Sequence, residues 1–467
     1  GIVASPEEVV FAGDVLHPGI IFGGTGERYT MEENRMIAGT TVQKSPETGR
    51  KDWTQPLVFS RADPRALYYG NQFLFKTTDN AVTWNQISPD LTRKDPGVPR
   101  TLDAAAAADV GNDKRGVIYT IAPSPLLVPM VWIGTDDGLI QLTMNDGKSW
   151  TDVTPKAMTP WSRVTMIEAS HFDFNVAYAS VDRHQLQDFT PYIYRTRDAG
   201  KTWQKITTGL PANGYVHTIK EDPKRQGLLF AGTELGVHIS FDDGESWEPF
   251  QLNLPVTSMR DFEIYENDLI LATHGRGFWV IDDISPLRQI NDTIGSSEAY
   301  LFKPGDSINM IEGGDNGTPL QKDEPQAPNP PNGAAIDYYL RTAATGPVTI
   351  DILDSTGAVL HTFSSEPQRE PAAGGRRGNA GGIPNTSALW REPPAPFSTA
   401  AGMHRVVWDP IKVEAGAGGG GFRRRGTPIS GTFTAKLTVN GKSYTQSFLV
   451  KPDPRSPTAP TQPYFEG

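Results

Sequence analysis

Eight residues constrain this chain more than any others: Thr196-Arg197-Asp198-Ala199-Gly200-Lys201-Thr202-Trp203. Their pattern, Ser/Thr-x-Asp-x-Gly-x-Ser/Thr-Trp, returns as Ser240-Phe241-Asp242-Asp243-Gly244-Glu245-Ser246-Trp247. Two looser copies stand upstream. Thr143–Trp150 carries Asn145 in the Asp slot, and Thr77–Trp84 keeps Asp79 but carries Ala81 in the Gly slot. The residue types are those of a tight hairpin. A short hydroxyl and a carboxylate accept turn N–H groups, Gly supplies a positive φ, and the chain returns as a strand. The closing Trp buries about 150–250 Å² and anchors the packing. Four copies at unequal spacings describe one supersecondary unit, repeated side by side with variable loops.

Taken in order, the chain fills in that unit. Residues 1–54 hold a partial copy, with short strands at Glu8–Ala12 and Gly19–Gly24 and a remnant of the hairpin at Asp52-Trp53. Residues 55–93 make a clearer one, closed by Trp84. A short Ala-rich run, Leu102–Asp109, allows one or two helical turns. Three sets of four short strands follow, ending at Trp150–Val153, Trp203–Ile206 and Trp247–Phe250. The last unit, Met259–Ile281, has no hairpin, and the N-terminal segment is expected to supply its missing outer strand. Four short strands per unit, repeated, predict a β-propeller of about six visible blades over residues 1–290, forming a six- or seven-bladed ring or a section of a larger one. A two-sheet sandwich is the competing fold, but it gives no reason to reuse one turn.

The composition agrees. At 467 residues the chain exceeds one ordinary core. Its 47 Gly and 39 Pro demand frequent turns, which favours short strands over long helices. A net charge of −11 lacks the footprint of a nucleic-acid binder. No apolar run is long enough to span a bilayer as a helix. With no cysteine, disulfides, thiolate metal sites and a Cys nucleophile are excluded.

Beyond residue 290 the character changes. Residues 291–332, rich in Pro, Gly, Asn and Asp, are expected to be a linker. Alternation then returns from Ile336 onward, and Asn440-Gly441 is a strong hairpin signal. About seven short strands over residues 333–455 predict an immunoglobulin-like sandwich, followed by a tail at 456–467. Two Gly/Arg-rich insertions interrupt it, Glu366–Gly402 with Arg376-Arg377 and Glu414–Pro428 with Arg423-Arg424-Arg425; these are expected to dock to a partner.

The repeated hairpin resembles the Asp-box, or BNR repeat, of sialidases, two-propeller xyloglucanases, sortilin-type receptors and many exported bacterial proteins. The likeness to the last group runs through Ser88–Thr92, Gly134–Gly138, Thr273–Gly277 and Asp282–Leu287, and extends into the C-terminal part. It implies an exported, periplasmic or extracellular protein, of which this chain is similar to the C-terminal portion. It implies little about activity, because a hairpin that packs blades does not define a ligand.

Chemistry is sought at the opposite end of the blades, in the turns between second and third strands. These give Asn71 and Gln72, then Asp136 and Asp137, then Asp182, Arg183 and His184, then Glu234, and finally His274 and Arg276. Asp136, Asp137, Arg183, His184, Glu234, His274 and Arg276 are the candidate ligand-binding residues, set against the plain reading that surface turns are polar because they meet water. Asp136 or Asp137 with Glu234 would form the carboxyl pair of a glycoside hydrolase if the spacing allowed. A sialidase arginine triad is not assignable from Arg163, Arg183 and Arg276. Asp79, Asp198 and Asp242, with Trp84, Trp150, Trp203 and Trp247, are expected to be structural. Neither a metal-binding His pattern nor a cofactor loop is present, so no metal and no cofactor are expected. The leading expectation is a non-catalytic binding or assembly protein with a protein partner, a second copy or a glycan; the alternative is a glycoside hydrolase.

Overall fold

Repetition of the hairpin carries through to the sheets. The computed structural model describes residues 49–50, 55–79, 83–111, 116–309, 333–366, 397–412 and 427–454, and the strands Ile2–Ala4, Val9–Ala12, Thr25–Glu32 and Arg35–Lys44. Six consecutive antiparallel sheets follow one another, each with its strands in sequence order. Blade 1 comprises the four strands just named. Blade 2 runs from Leu57–Phe59 to Asn85–Gln86, blade 3 from Ile118–Pro123 to Thr151–Asp152, and blade 4 from Arg163–Ala169 to Gln204–Lys205. Blade 5 spans Val216–Glu221 to Glu248–Pro249, and blade 6 has three strands, Met259–Tyr265, Asp268–Thr273 and Phe278–Ile281. The first strand of each blade packs against the first strand of the next, which is the radial arrangement of a β-propeller.

Cores lie between blades. Ala177, Ala179 and Val181 of blade 4 face Met130, Trp132 and Ile140 of blade 3, whereas Tyr178, one residue out of phase, faces Val216, Leu229 and Trp247 of blade 5. Because both faces of a sheet are covered, the second strands Leu67–Gly70, Val131–Thr135 and Leu229–Thr233 are buried at every position.

The Trp hairpin lies between third and fourth strands. In blade 4 the Asp198 carboxylate accepts from the Thr202 N–H (2.8 Å) and hydroxyl (2.7 Å), and the Thr196 hydroxyl accepts from the Gly200 N–H (2.9 Å). Asp242 and Asp79 repeat this with Ser246 and Thr83. Gly200 has φ +81°, and a Cβ there would sit 2.7 Å from Val153 of the preceding blade. Each indole then reaches back one blade. Trp150 donates to the Ile87 carbonyl (3.1 Å), Trp203 to Val153 (2.7 Å) and Trp247 to Ile206 (2.9 Å). The acceptor always lies three residues after the preceding Trp, so one motif builds a turn and a stitch between blades.

Several expectations need correction. The strands Ile2–Ala4, Val9–Ala12, Thr25–Glu32 and Arg35–Lys44 form one four-stranded sheet where a partial unit was expected, and Ile2–Ala4 pairs with Val9–Ala12 within it, not with blade 6. The Ala-rich run agrees with its reading and forms a two-turn helix, Ala104–Gly111. The chain divides into two compact units, Gly1–Tyr265 with Leu269–Val280, and Glu266–Asp268 with Ile281–Gly467. Residues 291–309, expected to be linker, hold a helix at Asp292–Ser296 and strands Ala299–Leu301 and Ser307–Asn309. Asp-, Ser- and Pro-rich sequence hid strands three residues long.

The second unit is a β-sandwich. Ala299–Leu301, Ala334–Leu340 and Gly402–Trp408 make one sheet; Ser307–Asn309, Lys442–Pro452, Gly431–Val439, Val348–Leu353 and Val359–Ser364 make the other. Ile336, Tyr338, Leu340 and Trp408 meet Ile350, Ile352, Leu437 and Phe448 in its core. Asn440 (φ +50°) and Gly441 (φ +78°) form the expected two-residue turn. Most of the two Gly/Arg-rich insertions, including Arg376-Arg377 and Arg423-Arg424-Arg425, and the tail at 456–467 lie outside the described residues.

Candidate binding face at the propeller mouth

Antiparallel meanders put the turns between second and third strands at the same end as the start of each inner strand. Blades 4, 5 and 6 bring a cluster together there. Asp182 and His184 come from the end of Ala177–Arg183, Tyr215 and His217 from the start of blade 5, Glu234 from its second turn, and Arg260 from the start of blade 6. The His184 Nδ1 lies 2.6 Å from the buried Asp182 carboxylate, and its ring stacks on Tyr215 with centroids 5.0 Å apart. Tyr215 in turn meets His217 edge-on at 5.0 Å and Phe189 at 6.0 Å. His217 Nε2 holds Glu234 at 2.8 Å, and Arg260 lies 3.4 Å from the other His217 ring nitrogen.

The electrostatics follow from that packing. Burial, reinforced by Glu234, pushes the Tyr215 hydroxyl up to about 12, so it stays a hydrogen-bond donor. Burial depresses the His217 imidazole, the Glu234 contact opposing it. Asp182 and Glu234 are held below the usual carboxylate range: burial works against this, and their histidine partners outweigh it. His184 and Glu234 are about one-third exposed and Phe189 46%, so the cluster offers both polar groups and an aromatic wall to solvent.

The other candidates are placed differently. Asp136 and Asp137 are buried, at 2% and 0% exposure. Asp136 accepts from the Val117 N–H at 2.8 Å; Asp137 accepts from the Arg93 N–H at 2.7 Å and the Thr135 hydroxyl at 2.6 Å. Burial, with Asp136 adjacent, pushes the Asp137 carboxyl up to about 6. These two brace the turn of blade 3 instead of facing a cleft. Arg183 turns sideways onto Asp188 (2.8 Å), Thr159 (2.7 Å) and Ser162 (2.9 Å). His274 and Arg276 stand exposed on the turn of blade 6. Tyr215, His217 and Arg260 went unread in the sequence because they open inner strands, where alternation looks like core.

At the far end of the inner strands, charged side chains pair with one another. Arg61 of blade 2 meets Glu263 of blade 6 at 2.9 Å, and Lys220 meets Glu168 at 3.3 Å. The cavity they line with His171 and Glu221 encloses about 10 Å³, enough for a water at most. Among the described residues no group of three or more acidic or His side chains is placed to hold a metal, and no helix is long and apolar enough to cross a membrane.

No family model matches this chain. Part of it is similar to the oligoxyloglucan-reducing end-specific xyloglucanase of Emericella nidulans, with 29% identity over 107 residues, 22% of this chain and 13% of that enzyme's length. Solved structures it is similar to include the GH74 xyloglucanase of Xanthomonas campestris (TM-score 0.41, 14% identity, covering 94% of this chain and 71% of that one). YCF48 from Cyanidioschyzon merolae gives 0.38 and 11%, covering 55% and 76% respectively. The extracellular domain of a hybrid two-component system from B. thetaiotaomicron gives 0.39 and 14%, covering 61% and 31%. The propeller assignment itself rests on the strand order and blade packing described above.

Proposed function

We propose that this chain is an exported, non-catalytic binding or assembly protein whose propeller mouth holds a glycan or protein partner. The observation that carries this reading is the state of the carboxylates. Asp136 and Asp137 are buried in backbone contacts, and Asp182 and Glu234 are each tied to a histidine. Glycoside hydrolysis needs two carboxyl groups that both reach the sugar. What reaches solvent is instead a hydrogen-bonding and aromatic surface of His184, Phe189, Tyr215, Glu234 and Arg260, the kind of mixture that recognises polar ligands. His274 and Arg276 extend it on blade 6. Export rests on the likeness of the Trp hairpin to that of secreted repeat proteins.

The second reading, a glycoside hydrolase, draws on the xyloglucanase similarity and on the raised Asp137 carboxyl. Titration of the purified chain with a panel of neutral and charged oligosaccharides, assayed in parallel for released reducing ends, separates the two. Binding without product is expected, weakened about 10-fold or more by Tyr215→Ala, which removes the centre of the aromatic stack. Product formation abolished by Asp137→Asn or Glu234→Gln would establish the hydrolase instead.

A further inference from the structure

The mouth is built on a repeated irregularity of the inner strands. In blade 3 the pairing skips Tyr119, setting Thr120 opposite Gly134 but Ile118 opposite Thr135. Blade 4 skips Thr165 in the same way, and blade 5 skips His217. Each is a β-bulge, which takes one residue out of the ladder and re-aims its side chain. The residue before each, Ile118, Val164 or Val216, is buried between blades. Blade 6 carries the same position. A Cβ at Gly70 would press on Ile118, one at Gly134 on Val164, and one at Gly232 on Met259, so Arg260 is the counterpart of Tyr119 and Thr165. Neighbouring blades touch along this series. The Arg163 guanidinium lies 5.1 Å from the Tyr119 ring centroid, Thr165 donates to the Val216 carbonyl at 3.3 Å, and Arg260 meets His217.

Charge along this series is unevenly spent. The Glu234 carboxylate accepts from His217 Nε2 at 2.8 Å, and the Asp182 carboxylate from His184 Nδ1 at 2.6 Å, so an imidazole takes up each acid. Arg260 is held loosely by comparison. Its contacts are His217 Nδ1 at 3.4 Å and Glu234 at 3.9 Å, and its side chain is 44% exposed. A guanidinium carries five N–H donors, and two long contacts leave most of them for a ligand. Phe189, beyond Tyr215 in the same cluster, offers an exposed ring. We propose that the ligand held at the mouth is an acidic glycan, with a uronate carboxylate on Arg260 and a sugar ring against Phe189; this rests on the binding role proposed above. An arginine fork matches a carboxylate through two parallel hydrogen bonds. The nearby aromatic ring favours a sugar over an acidic peptide, because an Asp or Glu side chain brings the charge without a ring to lay against it.

Calorimetric titration with oligogalacturonate and with its methyl ester tests this, since the two share every sugar and differ in the charge of the carboxyl groups. The acid is expected to bind at least about 10-fold more tightly than the ester, the worth of one charge-assisted hydrogen-bonded pair. The gap should narrow as salt is added. Arg260→Gln should close it, costing the acid about 10-fold more than it costs the ester. Phe189→Ala should weaken both ligands alike. An ester that binds as tightly as the acid overturns the acidic ligand and leaves the binding role of the mouth standing. A gap that survives Arg260→Gln overturns the placement of the carboxylate. Oligoglutamate binding as tightly as oligogalacturonate overturns the choice of a glycan. Failure of both the acid and the ester to bind overturns the proposal as well, and binding of other oligosaccharides from the panel above would then show that the mouth reading survives it.

Discussion

Trp247→Ala is expected to destabilise the propeller unit by about 3–5 kcal/mol, measured as a shift in urea denaturation. Trp247 is 3% exposed and packs against Tyr178, Ile193, Ile206 and Leu210 of the preceding blade. Alanine would remove most of that buried ring and leave the Ile206 carbonyl, its 2.9 Å acceptor, without a donor. Two effects therefore add, a cavity and an unsatisfied buried polar group. Trp247→Phe divides them: it keeps most of the apolar area, loses the indole N–H, and should cost about 1–3 kcal/mol. If both substitutions cost under about 1 kcal/mol, the Trp does not join blades in the way described.

Asp137 should make stability fall as pH rises through the range from about 4 to about 6, by about 3 kcal/mol in total. Its carboxyl, fully buried, is pushed up to about 6 in the folded chain, against an ordinary value of 3.8. Between those values the folded state binds a proton that the unfolded state has released. The unfolded state therefore holds fewer protons, and the slope of unfolding free energy with pH is negative. Above about pH 7 the cost is fully present and the curve flattens; below about pH 4 it is absent. Asp137→Asn removes the titration, so the difference between wild-type and variant stability should vary across that window. The asparagine NH₂ also opposes either the Arg93 N–H or the Thr135 hydroxyl, which adds an offset independent of pH. A difference that stays constant from pH 4 to pH 7 contradicts the account of this carboxyl.

How much was legible depended on whether the information was local. The hairpin was, because Asp198, Gly200 and Thr202 act within five residues of one another. Strand count in blades 3 to 5 was also legible, since two-sided burial writes itself as runs such as Val131–Thr135. Blade 1 was obscured by polar strands such as Thr25–Glu32. The candidate site was only half visible. An Asp in a turn meets water or caps a neighbouring N–H, and nothing local distinguishes Glu234 from Asp137. Burial decides it, and burial depends on Arg93 and Thr135 arriving from other segments. Tyr215 and His217 were hidden for the opposite reason, since polar and aromatic residues opening an inner strand resemble ordinary alternation.

The central claim is that tryptophan-closed turns stitch each blade to the one before it. Hydrogen exchange of the indole N–H groups, followed by NMR on tryptophan-labelled protein, tests that most directly. The account predicts that Trp150, Trp203 and Trp247, bonded to Ile87, Val153 and Ile206, exchange at least about 100-fold more slowly than free indole. Exchange of all three at the rate of free indole would contradict it.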